Sequence, residues 1–290
     1  ILTIYGVSFF RLYPSMTRIF QGLQKFNYGS TVLDDLKEIL KNKKKNLKIK
    51  NLMKKKNNFN QKIEKIEFKN IGFFYKTNNA ALKNINITFK NNFFYGIEGE
   101  TGSGKSTLVD LLSGLLKPSA GLFYINDNAY NHLGPTWFKK ISYVTQNVSL
   151  VNDTLEKNIA LGVDSAQIDY DKIKKIIKSA ELSELSTEFL KNRNISVGER
   201  GIQISGGEKQ RIGIARSLYF DRDIYIFDEA TNALDFKTES IILKNLKNIL
   251  KNKIVLIVSH KNNTFKFCDV VLKIKDKKLI ELNNLPENDK

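Results

Sequence analysis

Residues 99–107 read G-E-T-G-S-G-K-S-T and fit the pattern G-x-x-x-x-G-K-[ST]. An apolar run at residues 93–97 precedes the stretch, and apolar residues at helical spacing follow it from Leu108. This strand–loop–helix context is typical of a phosphate-binding loop, in which backbone N–H groups and a helix N-terminus face anionic oxygens. The pattern predicts that Lys105 reaches the β- and γ-phosphates of a nucleotide and that Ser106 holds Mg²⁺. A glycine-rich turn with an incidental lysine is the alternative.

The composition indicates a globular chain, since 41% of its 290 residues are hydrophobic and 27% are charged. Its net charge of +17 would suit nucleic acid or an anionic membrane face, whereas a general bias toward Lys, Asn and Ile is the alternative explanation. The one cysteine, Cys268, excludes an internal disulfide and fits a reducing compartment. The chain begins with neither an initiator methionine nor a signal-peptide pattern, so we expect it to be the C-terminal portion of something longer.

Two segments are expected to precede the α/β part of the chain. Residues 1–40 begin with an apolar run that stops at Arg11, which we interpret as the cytoplasmic end of a membrane-spanning helix or as a core helix. Apolar residues at helical spacing then predict a helical extension, with a kink at Pro14 and an interruption near residues 27–30. Residues 41–64, rich in Lys and Asn, are predicted to form a solvated linker, with contact to anionic lipid as the alternative.

The rest of the sequence predicts an α/β domain over residues 65–282, followed by a polar tail at 283–290. An antiparallel β patch is expected ahead of residue 99, and a mostly helical stretch is expected over residues 153–190. Strands are predicted at residues 66–68, 71–75, 82–89, 93–97, 122–125, 141–146, 224–229, 254–258, 270–274 and 278–282.

Two adjacent carboxylates, Asp228 and Glu229, end a buried strand, where an α/β sheet presents catalytic groups. Because side chains alternate along a strand, we expect Asp228 to face bound Mg²⁺ and Glu229 to face the attacking water. Stabilisation of a helix N-terminus is the alternative role for this pair. His260 ends another apolar strand and is placed to contact a γ-phosphate, although a lone histidine is more often structural. Tyr75 either stacks on an adenine or packs within its own strand.

Taken together, these segments resemble the nucleotide-binding domain of ATP-binding cassette (ABC) proteins over residues 65–282. The resemblance implies a P-loop NTPase fold, with an α/β core of the ABC ATPase type, an antiparallel β subdomain and an inserted helical subdomain, preceded by the C-terminal end of a transmembrane helix. It implies an ATPase that uses ATP and Mg²⁺.

The resemblance also carries roles onto matching positions. Glu229, His260 and Gln146 would be catalytic, and Ser106, Gln146 and Asp228 would hold the metal. The positions implied to contact nucleotide are Tyr75, Gly99, Thr101, Gly102, Ser103, Gly104, Lys105, Ser106, Thr107, Ser205, Gly206, Gly207 and Asp235.

The signature sequence departs from the commonest form, L-S-G-G-Q, at Ile204 and Glu208. Because Ser205, Gly206 and Gly207 are intact, this departure bears on the rate of hydrolysis rather than on ATP binding. Asn232 stands where many members of the family have serine, and we expect it to matter little.

In this family the signature of one domain completes the ATP site of another, so a single copy implies a head-to-tail dimer, most simply a homodimer. Residues 197–201 resemble the exporter loop that touches the membrane domain. The resemblance therefore implies transmembrane helices and the membrane as partners, no nucleic acid, and a location on the cytoplasmic face of the cytoplasmic membrane. Residues 10–19 are similar to the same region of bacterial lipid-linked oligosaccharide flippases.

Our leading hypothesis is the ATPase half of a homodimeric ABC exporter, with a lipid-linked oligosaccharide or other glycolipid as cargo. An exporter of lipid, peptide or drug is the first alternative. A soluble ABC ATPase acting on nucleic acid is the second, favoured by the charge of +17 but opposed by the apolar start of the chain. A truncated, non-functional gene product is the third.

Overall fold

The computed structural model describes residues 2–52, 59, 61–75, 80–182, 187, 196–197 and 204–282. The chain divides into two compact units, residues 1–56 and residues 57–290. The predicted boundaries at residues 40, 64 and 282 stay predictions.

The first unit contains one helix of 51 residues, α1 (Leu2–Leu52). The interruption predicted near residues 27–30 is wrong, because the helix continues through them and the Ser30 hydroxyl donates to the Asn27 carbonyl at 2.8 Å. A glycine at position 29 disfavours a helix by only about 1 kcal/mol, which is too little to end it. Pro14 lies inside α1, and the helix extends into the segment predicted as a linker.

Among the described residues, no helix combines the length and the apolar composition that a membrane span requires.

A four-stranded antiparallel sheet opens the second unit. Its strands are β1 (Lys65–Phe74), β2 (Ala80–Lys90), β4 (Ala120–Ile125) and β5 (Asn128–Tyr130). They lie in the order β2-β1-β4-β5. The two strands predicted at 66–68 and 71–75 are one strand, β1, whose pairing with β2 shifts register between Phe68 and Ile71. The predicted antiparallel β subdomain is thereby confirmed.

A six-stranded sheet forms the core of the second unit. Its strands are β3 (Phe93–Glu98), β6 (Ile141–Val144), β7 (Ile224–Asp228), β8 (Ile254–Val258), β9 (Val270–Lys275) and β10 (Lys278–Leu282). They lie in the order β10-β9-β3-β8-β7-β6. Strands β9, β3, β8, β7 and β6 are parallel, and β10 is antiparallel to β9.

Helices cover both faces of this sheet. They are α2 (Lys105–Leu112), α3 (Leu155–Ile159), α4 (Tyr170–Ser179), α5 (Gly206–Tyr219), α6 (Phe236–Ile249) and α7 (Asn262–Phe265), with 3₁₀ turns at Trp137–Lys140 and Ser165–Gln167.

Alternate residues of β7 enter different hydrophobic cores. Tyr225 and Phe227 pack with residues of α5 and α6, whereas Ile224 and Ile226 pack with residues of α2. A parallel sheet covered on both faces is typical of α/β proteins, and α/β is the fold class that the sequence predicts.

Three of the predicted segments lie largely or wholly outside the described residues. They are the end of the helical subdomain at 183–190, the exporter-like loop at 197–201 and the polar tail at 283–290.

Candidate functional site

Four neighbouring parallel strands bring the predicted site residues to one edge of the core sheet. The pairs Ile97–Val258, Asp228–Val258 and Val144–Phe227 show that β3, β8, β7 and β6 end at the same level. The loop after β3, the residues after β8 and β7, and Gln146 after β6 therefore lie around one cleft of about 700 Å³.

Most of the predicted site residues line this cleft. They are Tyr75, Thr101, Gly102, Gly104, Lys105, Ser106, Thr107, Gln146, Asp228, Glu229 and His260. Three further lining residues, Ala80, Ala81 and Lys277, were missed by sequence reasoning. Lys277 has a left-handed backbone in the turn between β9 and β10, and no local pattern connects that turn with residues 99–107.

The loop after β3 requires glycine at position 104. Gly104 has φ 114°, and a Cβ there would lie 2.9 Å from a Leu82 side-chain carbon and 3.0 Å from the Ala81 carbonyl oxygen. Helix α2 begins directly afterwards, with no side-chain cap and no acidic residue in its first turn. Its first N–H groups are therefore available to an anion in the cleft.

Lys105 is buried at the start of α2, with 8% of its surface exposed. Its Nζ donates to the carbonyl oxygens of Gly99 at 2.6 Å and Glu100 at 2.9 Å. Burial lowers the pKa of this lysine, while the carboxylates of Glu229 and Asp228 act in the opposite direction.

The Ser103 hydroxyl is buried and has no hydrogen-bond partner within the part of the chain that the structure describes. Ser103 does not line the cleft, whereas Lys105 does. A phosphate oxygen in the cleft would pair with the buried ammonium of Lys105. The loop residues thus fit a nucleotide phosphate.

Asp228, the last residue of β7, accepts a hydrogen bond from the Tyr143 hydroxyl at 2.9 Å. Burial raises the pKa of Asp228, the bond from Tyr143 lowers it, and the charge of Glu229 raises it. Asp228 and Ser106 line the same cleft. A carboxylate and a hydroxyl that leave room for phosphate oxygens and water suit the octahedral coordination of Mg²⁺.

The two adjacent carboxylates have different partners, but strand alternation is not the cause. The strand ends at Asp228, and Glu229 adopts a left-handed backbone with φ 51°. This conformation costs roughly 1 kcal/mol in a residue with a side chain, so the surrounding contacts must hold it. The Glu229 N–H donates to the Val258 carbonyl at 3.0 Å, and its carbonyl accepts from Gln210 Nε2 at 3.3 Å.

The Glu229 side chain is held by three neighbours. Gln146 Nε2 donates to its Oε2 at 2.8 Å, and Asn232 Nδ2 donates to the same oxygen at 2.7 Å. His260 Nε2 lies 2.9 Å from its Oε1. Asn232 thus contacts the predicted catalytic carboxylate, and the expectation that this position matters little stays a prediction.

Tyr75 lies at the rim of the cleft with half of its surface exposed. Its hydroxyl is 3.2 Å from Thr107 Oγ1, and its ring meets the ring of Phe73 edge-on at 4.9 Å. The exposed part of the ring leaves room for a stacked base.

The signature residues do not line this cleft within the described part of one chain. Ser205 caps α5, donating from its hydroxyl to Glu208 Oε2 at 2.6 Å and accepting from the Glu208 N–H at 3.2 Å. The hydroxyl of Ser205 lowers the pKa of Glu208. Gly206 and Gly207 begin the same helix. Asp235 caps α6 by accepting from the Thr238 N–H at 3.0 Å, also away from the cleft lining.

Comparison with known proteins identifies the family. The ABC transporter family matches residues 82–232, just over half of the chain. An export ATP-binding/permease protein of Rickettsia prowazekii is 36% identical over 212 residues, covering 72% of this chain and 36% of that protein. The alpha-hemolysin translocation ATP-binding protein HlyB of Escherichia coli O157:H7 is 38% identical over 172 residues, covering 59% of this chain and 24% of its own length.

A solved structure of a bacterial Atm1-family ABC exporter with ATP bound shares the fold. Its TM-score is 0.69 at 30% identity, with 76% of this chain and 38% of that chain covered. The chain thus spans roughly a third of the length of such proteins. The family match, the shared fold and the cleft together show that this chain belongs to the ABC transporter family and carries the ATP-binding ATPase domain of the exporter type.

Proposed function

We propose that the cleft binds ATP with Mg²⁺ and hydrolyses it to drive export across a membrane. The observation that carries the proposal is the meeting of Lys105, Asp228 and Glu229 at the ends of neighbouring parallel strands in one cleft. Lys105 and the first N–H groups of α2 would hold the phosphates. Ser106, Asp228 and, from the family resemblance, Gln146 would hold Mg²⁺, which when bound neutralises charge on the phosphate oxygens.

Glu229 is the residue we assign to the attacking water. Its Oε1 is 2.9 Å from His260 Nε2, and Gln146 and Asn232 bond its Oε2, so the carboxylate has a fixed direction at the cleft. A carboxylate held this way orients water and accepts its proton as the γ-phosphate is attacked.

A head-to-tail dimer of two copies is supported by the position of the signature. Ser205, Gly206 and Gly207 lie outside the lining of their own chain's cleft, so they are free to face the cleft of a second copy. Export is supported by the similarity to an export ATP-binding/permease protein and to a hemolysin translocation ATP-binding protein. The cargo we favour is a lipid-linked oligosaccharide or other glycolipid, on the similarity of residues 10–19; a lipid, peptide or drug is the alternative.

Replacing Glu229 by Gln tests the hydrolytic assignment. The amide keeps the size of the side chain but removes the proton acceptor, so we expect phosphate release to fall roughly 100-fold or more while ATP stays bound. Phosphate release and retention of radiolabelled ATP on the purified full-length protein measure the two effects. Glu281→Gln, at an exposed position in β10, is the matched control and should leave both unchanged. Near-normal turnover in Glu229→Gln would contradict the assignment.

A further inference from the structure

A group of interacting polar side chains lies outside the lining of the cleft, and its centre is Glu239 of α6. Only 4% of this side chain is exposed. Its Oε1 accepts from the hydroxyls of Thr231 and Thr264, each at 2.8 Å, and its Oε2 accepts from Lys261 Nζ at 3.2 Å. A buried carboxylate is tolerated only when its charge is paired and its lone pairs are bonded, and Glu239 meets both conditions.

Lys261 joins this carboxylate to the turn that follows Glu229. Its Nζ also donates to the carbonyl oxygens of Thr231 at 2.9 Å and Leu234 at 3.2 Å. An ammonium has three protons, and here each has an acceptor. The residue directly after His260 is therefore attached to the segment directly after Glu229.

A chain of hydrogen bonds holds both neighbours of His260. The Lys261 N–H donates to Ser259 Oγ at 3.0 Å, Ser259 Oγ donates to Thr264 Oγ1 at 3.1 Å, and Thr264 donates to Glu239. A hydroxyl has a single proton. The hydroxyls of Ser259 and Thr264 therefore each accept one hydrogen bond and donate one, and the donations run toward the carboxylate of Glu239. His260 itself is 44% exposed, so these neighbours constrain its backbone more than packing constrains its ring.

We propose that Glu239 and Lys261 are positioning residues that hold His260 against Glu229, and that they support ATP hydrolysis rather than ATP binding. The inference rests on the proposed ATPase function. The two partners of the 2.9 Å contact between His260 Nε2 and Glu229 Oε1 come from two different strand ends, β8 and β7. The ion pair of Glu239 and Lys261 links the segments that follow those two strand ends. A displacement of about 1 Å at such a contact lowers a rate by up to roughly 100-fold.

Stability alone is a weak explanation for this pair. Glu239 is buried, whereas the Lys261 side chain is 33% exposed. Replacing a buried ion pair by apolar side chains is often neutral or stabilising, and exposure of one partner to water weakens the attraction further. What a fully bonded pair does supply is one fixed geometry for the segments that it joins. Glu239 and Lys261 join the two segments whose relative position sets the contact of His260 with Glu229.

Steady-state kinetics of the purified full-length protein separate a role in ATP hydrolysis from a role in ATP binding. Lys261→Met keeps the length of the side chain and removes its donors, so we expect kcat to fall roughly tenfold, with KM and the affinity for a non-hydrolysable ATP analogue changed less than about twofold. Lys261→Arg should remain within about threefold of the wild type in kcat, because a guanidinium also serves three acceptors.

Lys247→Met is the matched control, on the same helix as Glu239. Lys247 Nζ also bonds a carboxylate, Asp269 at 2.8 Å, and a carbonyl, that of Phe267 at 3.2 Å, but neither belongs to the segments around Glu229 and His260. We expect its turnover to equal that of the wild type.

A second background tests whether Lys261 acts through His260. In a His260→Ala protein, adding Lys261→Met should lower kcat no further, because the side chain that the pair positions is gone. If Lys261→Met alone does not fold, the double variant Glu239→Gln, Lys261→Met leaves no unpaired buried charge and should show the same loss of kcat.

Three results would overturn the inference. They are an unchanged kcat in the folded variant, a rise in KM that accounts for the whole loss of kcat/KM, and a further full tenfold loss in the His260→Ala background. An absence of ATP turnover in the wild-type protein would instead refute the proposed function, so the two failures are distinguishable.

Discussion

Two helices of the second unit begin at glycine-containing segments, and their first turns are arranged in opposite ways. Helix α2 starts after Gly104 with no side-chain cap and no acidic residue in its first turn. Helix α5 starts at Gly206 with a complete capping box, in which Ser205 and Glu208 bond each other's backbone N–H groups. The first helix end is open and the second is satisfied by its own side chains.

The two helix ends therefore obtain their negative charge from different sources. At α5 the carboxylate of Glu208 supplies it within the chain. At α2 nothing in the first turn does, while the buried Lys105 lines the cleft next to this helix end. The open end is therefore adapted to a ligand and the closed end to stability, and substitutions at the two ends should have different consequences.

The largest effect is expected from Lys105→Ala at the open end. Removing a buried cation from a phosphate site should weaken ATP binding roughly 100-fold, the equivalent of about 2.7 kcal/mol. Stability should change by less than about 1 kcal/mol, because this lysine is partly desolvated and its pKa is lowered. Isothermal titration with ATP and urea unfolding measure the two quantities. A large loss of stability with intact ATP binding would contradict the assignment of the open end to a ligand.

A pH effect is expected from Tyr143→Phe, which sharpens the description of the metal side of the open end. The Tyr143 hydroxyl bonds the ionised Asp228 and lowers its pKa, so its removal should raise that pKa further. If ionised Asp228 holds the metal, the acidic limb of the pH–rate profile should move to higher pH. Rates at alkaline pH should not change.

Tyr225→Phe is the control for this substitution, since the hydroxyl of Tyr225 donates to the Phe220 carbonyl and accepts from the Arg222 N–H, away from the cleft lining. The acidic limb of the pH–rate profile of Tyr225→Phe should match that of the wild type. An unmoved or lowered limb in Tyr143→Phe would disprove the role given to its hydroxyl.

The smallest effect is expected at the closed end. Glu208→Ala should lower the free energy of unfolding by about 1 kcal/mol at pH 7, and Glu208→Gln by less, because an amide oxygen also accepts from the Ser205 N–H. The folded state lowers the pKa of Glu208, so this stability is present at neutral pH and is lost as the pH falls through the lowered pKa. Urea unfolding at two pH values measures it, and ATP affinity should stay the same. Weakened ATP binding in Glu208→Ala would remove the distinction between the two ends.

Local sequence patterns predicted the features that short segments determine by themselves. The glycines and lysine of residues 99–107 and the apolar runs of β7 and β8 each carry their own signal, so the sheet and its functional edge followed from them. The interruption predicted near residues 27–30 failed because helix propensity at one glycine is a weak preference, which the surrounding helix overrides.

The remaining parts of the site depend on the folded backbone and on distant residues. The direction of Glu229 comes from a left-handed conformation that a strand pattern does not show. Tyr143 meets Asp228 across 85 residues of sequence, and no periodicity connects them. The contacts of Gln210 and Asn232 with Glu229 likewise exist only after the turn that follows β7 has formed.

The place of β3 in the sheet has a consequence for synthesis of the chain. The strand that precedes the phosphate loop lies between β8 and β9, so Phe94 pairs with Val255 and Tyr95 with Val270. A nascent chain exposes both edges of this strand until more than 150 further residues have been translated, which is a connection of high contact order. Nucleotide affinity should therefore arise late during translation, after β9 has left the ribosome and β3, the strand before the phosphate loop, has paired with both β8 and β9.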